Sequence, residues 1–320
     1  LFLIAGVGIL AAISVQTKGS SRRLFVYTLI LLLTAFATFF PPRSAELHIS
    51  PYKGLSQALH FPQARIITEA DSPIARLTLI ESGGVRSLPG LSFQHQGTLP
   101  KQYGLFSDGD DLSPVLDTAN NLEWDFIHYL PEAIAHELAP EGRALVLNPR
   151  GGLSIWQALR GSTAERPVVA IEPDPDIPDQ LDALIGTHSP YRHPQVETIT
   201  ETGRSFLRQD QHKYAIIHLA LTQPYRPVTS GAFSLSENYD LTIEAMRAYL
   251  DHLDAGGILV LSRWLQIPPS ESVRTLALLV EGLKAYGIEH PAQHIVALRG
   301  VQASTFYVKS TPWSSLELAK

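Results

Sequence analysis

The chain has 320 residues, which leaves room for more than one domain, and 45% of its side chains are apolar against 18% charged. A net charge of −6 and a pI near 6.1 give it no global basic surface for nucleic acid. Cysteine is absent, which excludes disulfides, thiolate metal sites and a cysteine nucleophile.

Residues 1–17 and 24–40 carry no charged side chain. Each run of about 17 residues would make roughly 25 Å of helix, at the short end for crossing a bilayer. The expectation is a transmembrane segment over 1–43, with helices at about 1–17 and 24–40, a lipid bilayer as partner and a multi-pass membrane location. A buried helical hairpin is the alternative. Without a basic n-region or an initiating Met, the first run does not read as a signal peptide, so the chain is expected to begin partway through a longer protein. In the connecting QTKGSSRR, Lys18, Arg22 and Arg23 favour a cytoplasmic loop, which would send everything after Pro41 outside. Arg43 flanks the second run and pulls the other way. The following domain is assigned to the cytoplasm, with its orientation left open.

Pro41-Pro42 ends the second run, since proline cannot continue a helix interior. Residues 44–125 then read as a small β-rich domain. ARIITEA, ARLTLIES and GVRSLPGLSFQHQG are its β-like stretches, separated by Gly, Pro and Ser. Residues 107–125 hold six acids and no Lys or Arg, either a solvated loop or a collar that attracts a cationic substrate.

From 126 to 320 the pattern alternates between short apolar runs and helical periodicity. FIHYLPEAIAHEL reads as helix, ALVL as strand and LSIWQALRG as helix. PVVAIEPD and YAIIHLAL are strands, LTIEAMRAYLDHL a helix, and DAGG turns into the strand ILVLSRW. SVRTLALLVEGLKAYG is a further helix before the terminal strands HIVALR and STFYVKS, which can pair antiparallel. The fold class is α/β, a Rossmann-like methyltransferase-type sheet with helices on both faces.

Ligands of such sheets bind beyond the carboxyl ends of the strands, near the switch point. There the sequence places Asn148, Arg150, Gly151 and Gly152 in a turn, then Glu172, the region Glu201–Arg204 with Thr202 and Gly203, and the region from His218 to Pro224. Glu172 ends the second strand, 24 residues beyond Asn148. It is either an acceptor for two ribose hydroxyls or a surface acid opening the loop EPDPD. Pro149 removes a donor from the turn and Arg150 adds bulk where a backbone would approach a nucleotide. Arg150 either pairs with a ligand carboxylate or phosphate, or projects into solvent. No H-E-x-x-H, P-loop or G-x-S-x-G pattern occurs, and no metal is expected. His188 and His193 read as solvated.

The runs SPYKGLSQAL, LPGLSFQHQGTLP and ENYDLTIEAMRAYLDHLDAGGILVLSRWLQIPP resemble the membrane-anchored branch of the spermidine synthase family. The resemblance spans about residues 46–310. It implies a polyamine aminopropyltransferase-like domain with the S-adenosylmethionine-dependent methyltransferase fold. It also implies S-adenosylmethionine or its decarboxylated form as the cofactor-like substrate, a small molecule such as a polyamine as acceptor, and a possible homodimer. In the segment Tyr214–Pro224 it puts Ala215 where the family has an Asp, Ala220 at the general base and Gln223 at another substrate-facing acid. Thr202 replaces an Asp that contacts adenine, with Glu201 adjacent as a substitute. Glu172 is retained. Attack on the carbon beside a sulfonium needs a neutral amine, and a positioned carboxylate commonly contributes about 10²–10⁴-fold by taking its proton. Ala220 cannot do this. Asp108, Asp110, Asp111, Asp125 and Glu237 are the alternative carboxylates for substrate, and His218 and Asp125 the candidate catalytic groups. A non-catalytic nucleotide sensor and a small-molecule methyltransferase are the competing functions.

Overall fold

The computed structural model of the protein describes Gly6, Gly8 and residues 21–39, 49–118, 124–160, 166–221 and 238–319. The chain divides into two units, Leu1–Ser50 and Pro51–Lys320.

In the first unit, helix α1 covers Ser21–Phe39, 19 residues. Arg22 and Arg23 occupy its first turn, so its charge-free part begins at Leu24 and gives only about 24 Å of apolar helix. That falls short of the roughly 30 Å hydrocarbon core. Thr34 adds a hydroxyl, which donates to the Leu31 carbonyl (2.9 Å). Among the described residues no helix is long and apolar enough to cross a membrane. The expected membrane-spanning helix at 24–40 and the multi-pass location built on it are therefore overturned. Most of the run 1–17 lies outside the described residues.

The second unit holds two sheets. Strands β1 (Arg65–Asp71), β2 (Arg76–Glu81), β3 (Gln102–Ser107) and β4 (Asp110–Leu116) pair antiparallel in chain order, after a short helix α2 (Gly54–Leu59). GVRSLPGLSFQHQG forms no strand, because Leu91 and His95 donate into local turns at Leu88 and Ser92 rather than into a ladder. The acidic stretch after it is not all loop. Asp108 and Gly109, at φ 50° and 72°, make the two-residue turn of the β3–β4 hairpin.

The larger sheet has the order β10-β11-β9-β8-β5-β6-β7. Strands β5 (Ala144–Leu147), β6 (Val168–Ile171), β7 (Val196–Ile199), β8 (Tyr214–Leu219) and β9 (Leu253–Trp264) run parallel. Strands β10 (Ile295–Arg299) and β11 (Ala303–Val308) close the β9 edge antiparallel. Because strand side chains alternate, each central strand feeds two cores. Leu145, Leu147, Ile217 and Leu259 pack with Met246 and Tyr249 of α7 (Ile243–His252) and with Leu279 and Leu283 of α8 (Ser270–Ala285). Ala144, Val146, Ile216 and Val260 face Ala135 of α3 (Ala133–Leu138), Ile155 of α4 (Leu153–Arg160) and Ile177 of α5 (Asp176–Ile185). That second core also takes Leu77, Leu79, Leu105 and Val115 from the small sheet, so the two sheets share it.

The sharpest contact between the sheets lies at the turn after β5. Gly151 N–H donates to Ser113 Oγ of β4 (2.9 Å), and Val115 bridges Gly152. A Cβ on Gly151 would stand 2.3 Å from the Pro114 carbonyl oxygen, and one on Gly152 2.3 Å from Pro190 Cγ. Backbone cannot yield there as a flexible side chain could. Gly151→Ala is expected to destabilise the protein by at least about 1–3 kcal/mol, the usual penalty for overpacking, measured as a shift of the urea midpoint.

Candidate functional site

The chain order of the sheet reverses at β5, with β6 and β7 added on one side and β8 on the other. Beyond the strand ends there lies a cleft of about 790 Å³, within the range of small-molecule sites. Its walls come from the turn after β5 (Asn148, Arg150), the end of β6 (Glu172, Asp174), the entry to helix α6 (Gly203–Gln209), the β3–β4 hairpin (Asp108, Asp111) and the segment Asn238–Asp240.

Glu172 is buried, 2% exposed. Its Oε2 accepts from Arg150 N–H (2.8 Å) and faces Tyr191 Oη (3.4 Å), and its Oε1 accepts from Asp174 N–H (3.1 Å). A carboxylate offers about four acceptor positions, so the group retains capacity toward the cleft it lines. Burial pushes its pKa up, against the pull of the two backbone N–H groups. Asp174 links the site to the small sheet by accepting from Ser72 Oγ (2.7 Å).

The turn divides its residues between two jobs. Asn148 and Arg150, both at positive φ (55° and 48°), line the cleft. Asn148 Nδ2 donates to Asp240 Oδ2 (2.9 Å). Gly151 and Gly152 are buried against β4 and Pro190 and do not line it. The glycines thus admit a neighbouring strand rather than a ligand.

Thr202 and Gly203 border the cleft at α6. Thr202 already caps that helix, its hydroxyl accepting from Ser205 N–H (3.3 Å). Glu201 turns instead to Gln209, whose Nε2 donates to its Oε1 (3.3 Å). Asp108 lines the cleft, with its Oδ1 accepting from Arg76 N–H (3.0 Å). Asp125 is exposed at the start of a 3₁₀ turn (Asp125–Tyr129) and is not brought to the cleft. Gln223 and Glu237 lie outside the described residues.

A small cavity of about 40 Å³ sits behind the turn, lined by Pro149, Ser154, His218, Ala220, Trp264 and Glu132 among others. Glu132 lies in the run FIHYLPEAIAHEL and was not singled out in the sequence. Its spacing to His136 (i, i+4) was the available signal, since it puts both on one helix face. Both are in fact buried. The Glu132 carboxyl accepts from Gln157 Nε2 (3.0 Å) and from Ser262 Oγ, and burial raises its pKa.

His218 packs its Nδ1 3.4 Å from His136 Nε2. Burial lowers the His218 pKa to about 3, and it lowers that of His136 too, helped by the charge-sensitive neighbours His218 and Arg166. An imidazole so acidic as a cation is a poor proton acceptor near neutrality, which argues against a catalytic role for His218. Folded pKa values below the unfolded one mean that the unfolded chain binds more protons, so stability present above pH 6.5 is lost as pH falls toward 3. Urea titrations are expected to show about 2 kcal/mol lost between pH 7 and 5 for His218, and His218→Gln should flatten that dependence.

Three solved structures illustrate the likeness of the fold. A spermidine synthase in complex with the transition state analogue AdoDATO matches at 12% identity over 79% of this chain and 75% of that one, with a TM-score of 0.50. The spermidine synthase from Thermotoga Maritima matches at 13% identity over 79% and 75%, with a TM-score of 0.49. Human methyltransferase-like protein 13 in complex with SAH matches at 13% identity over 58% and 83%, with a TM-score of 0.40. No family model and no curated protein sequence matches the chain. The first likeness supports one coarse statement, that the chain has the α/β fold of a spermidine synthase.

Proposed function

We propose that the cleft binds an adenosyl sulfonium nucleoside, S-adenosylmethionine or its decarboxylated form, with Glu172 accepting hydrogen bonds from the ribose. The observation that carries this reading is the position of Glu172, a buried carboxyl at the end of β6 lining a cleft beyond the sheet's switch point. The solved spermidine synthase of the same fold holds an adenosyl transition state analogue, which supports the ligand class. Asn148, Arg150, Thr202 and Gly203 complete the nucleoside site in this reading.

Aminopropyl transfer to a diamine is the weaker part of the inheritance. Ala215 and Ala220 stand where the family carries acids, and the cavity beside Ala220 has room for no more than a few waters. Glu132, the carboxyl beside it, is already bonded to Gln157 and Ser262, and burial raises its pKa. These observations favour a nucleoside-binding domain with little aminopropyltransferase activity. Titration calorimetry with S-adenosylmethionine is expected to give binding, and Glu172→Gln to weaken it by about 1.5–3 kcal/mol, as for a hydrogen bond to a charged group. Unchanged affinity in the folded variant removes Glu172 from the site. Robust spermidine formation from putrescine and the decarboxylated nucleoside would refute the low-activity assignment.

A further inference from the structure

We infer that Arg150 and Asp111 form a recognition pair for a zwitterionic α-amino-acid head group, so that the cleft prefers S-adenosylmethionine to its decarboxylated form. This rests on the nucleoside reading above and specifies the ligand class of the same site.

The Arg150 main chain is held at both ends. Its N–H donates to Glu172 Oε2 (2.8 Å), and its carbonyl accepts from Tyr191 Oη (2.7 Å). With φ fixed at 48°, the direction of the side chain is set by the turn, and the side chain lines the cleft. That side chain is only 16% exposed, and its Nε is buried with no hydrogen-bond partner. Asp111 Oδ2 stands 3.8 Å from Nη1, close enough for Coulomb attraction and too far for a hydrogen bond. A buried guanidinium nitrogen without an acceptor is costly. Its planar fork of donors matches a carboxylate.

Asp111 comes from the β4 end of the hairpin and Arg150 from the turn after β5, and both line one wall of the cleft. An anion and a cation set side by side match a ligand carrying the opposite pair on one carbon. The carboxylate of an α-amino acid completes the Arg150 fork while its ammonium faces Asp111. The decarboxylated nucleoside keeps the ammonium and loses the carboxylate, so it satisfies Asp111 and leaves Arg150 short. The two ligands differ at the one group Arg150 reads.

The test is calorimetric titration of the protein with 5′-methylthioadenosine, S-adenosylmethionine and decarboxylated S-adenosylmethionine. Methylthioadenosine, which has neither charged group, reports the nucleoside site alone. The expected result is that all three bind, with S-adenosylmethionine tighter than the decarboxylated form by roughly 10- to 100-fold, the span of a charge-assisted hydrogen bond. Arg150→Asn keeps a residue that tolerates positive φ. It should bring the ratio of the two sulfonium ligands close to one, each affinity being read against that of methylthioadenosine for the same variant. Asp111→Asn should weaken both ammonium-bearing ligands and preserve their ratio. Arg150→Lys, which retains the charge, should keep part of the preference, and unfolding midpoints confirm that each variant folds. Equal affinity of the two sulfonium ligands for the unmodified protein, or a ratio that survives Arg150→Asn, overturns the inference while methylthioadenosine binding upholds the nucleoside site. Failure of all three to bind overturns both.

Discussion

The approach of the Pro114 carbonyl to Gly151 fixes how the two sheets of the Pro51–Lys320 unit meet. Only a residue without a Cβ allows strand β4 so near the turn, and Ser113 Oγ then satisfies the Gly151 N–H that would otherwise be buried unpaired. Once β4 is seated, the β3–β4 hairpin projects Asp108 and Asp111 over the strand ends of the larger sheet. The cleft is therefore built by two sheets, and its charge pattern depends on a strand-to-turn contact that itself touches no ligand.

The same turn separates two electrostatic environments. Asn148 and Arg150 face the cleft, where several acids and arginines gather. Pro149 faces the small cavity, which Glu132 and His218 also line. Burial acts on these groups in opposite directions, raising the pKa of Glu132 and lowering that of His218 and His136. Both shifts disfavour charge. Behind a wall of charged residues, Glu132 is thus held by hydrogen bonds from Gln157 and Ser262.

Much of the larger sheet was legible in the sequence, because ALVL, PVVAIEPD, YAIIHLAL and ILVLSRW are short apolar runs, as strands buried on both faces must be. Strand β7 was not, since VETI is half-exposed at the sheet edge and carries a glutamate and a threonine. The β3–β4 hairpin was also missed. Its Asp-Gly turn was visible, but the density of acids around it suggested solvent. At α1 the hydrophobic run was visible, but its length, already at the short end in the sequence, does not reach across a bilayer. At the site, strand-end logic pointed to Asn148, Arg150 and Glu172, all of which line the cleft. Asp174 and Asp240 arrive there through tertiary contacts with Ser72 and Asn148, across separations of 102 and 92 residues that no local pattern encodes.

Asn148 and Arg150 hold left-handed backbone conformations that glycine would adopt more readily. Such positions commonly store of the order of 1–3 kcal/mol each. Directed evolution for heat resistance would find both attractive, since glycine at either would relieve strain in the folded chain. Yet each gain would delete a side chain that faces the cleft, the amide bound to Asp240 or the guanidinium near Asp111. Screens that reward melting temperature alone would therefore drift toward a glycine-rich turn of ordinary appearance. The strain marks where the turn keeps side chains at the cleft, and a stabilised lineage would lose those side chains first.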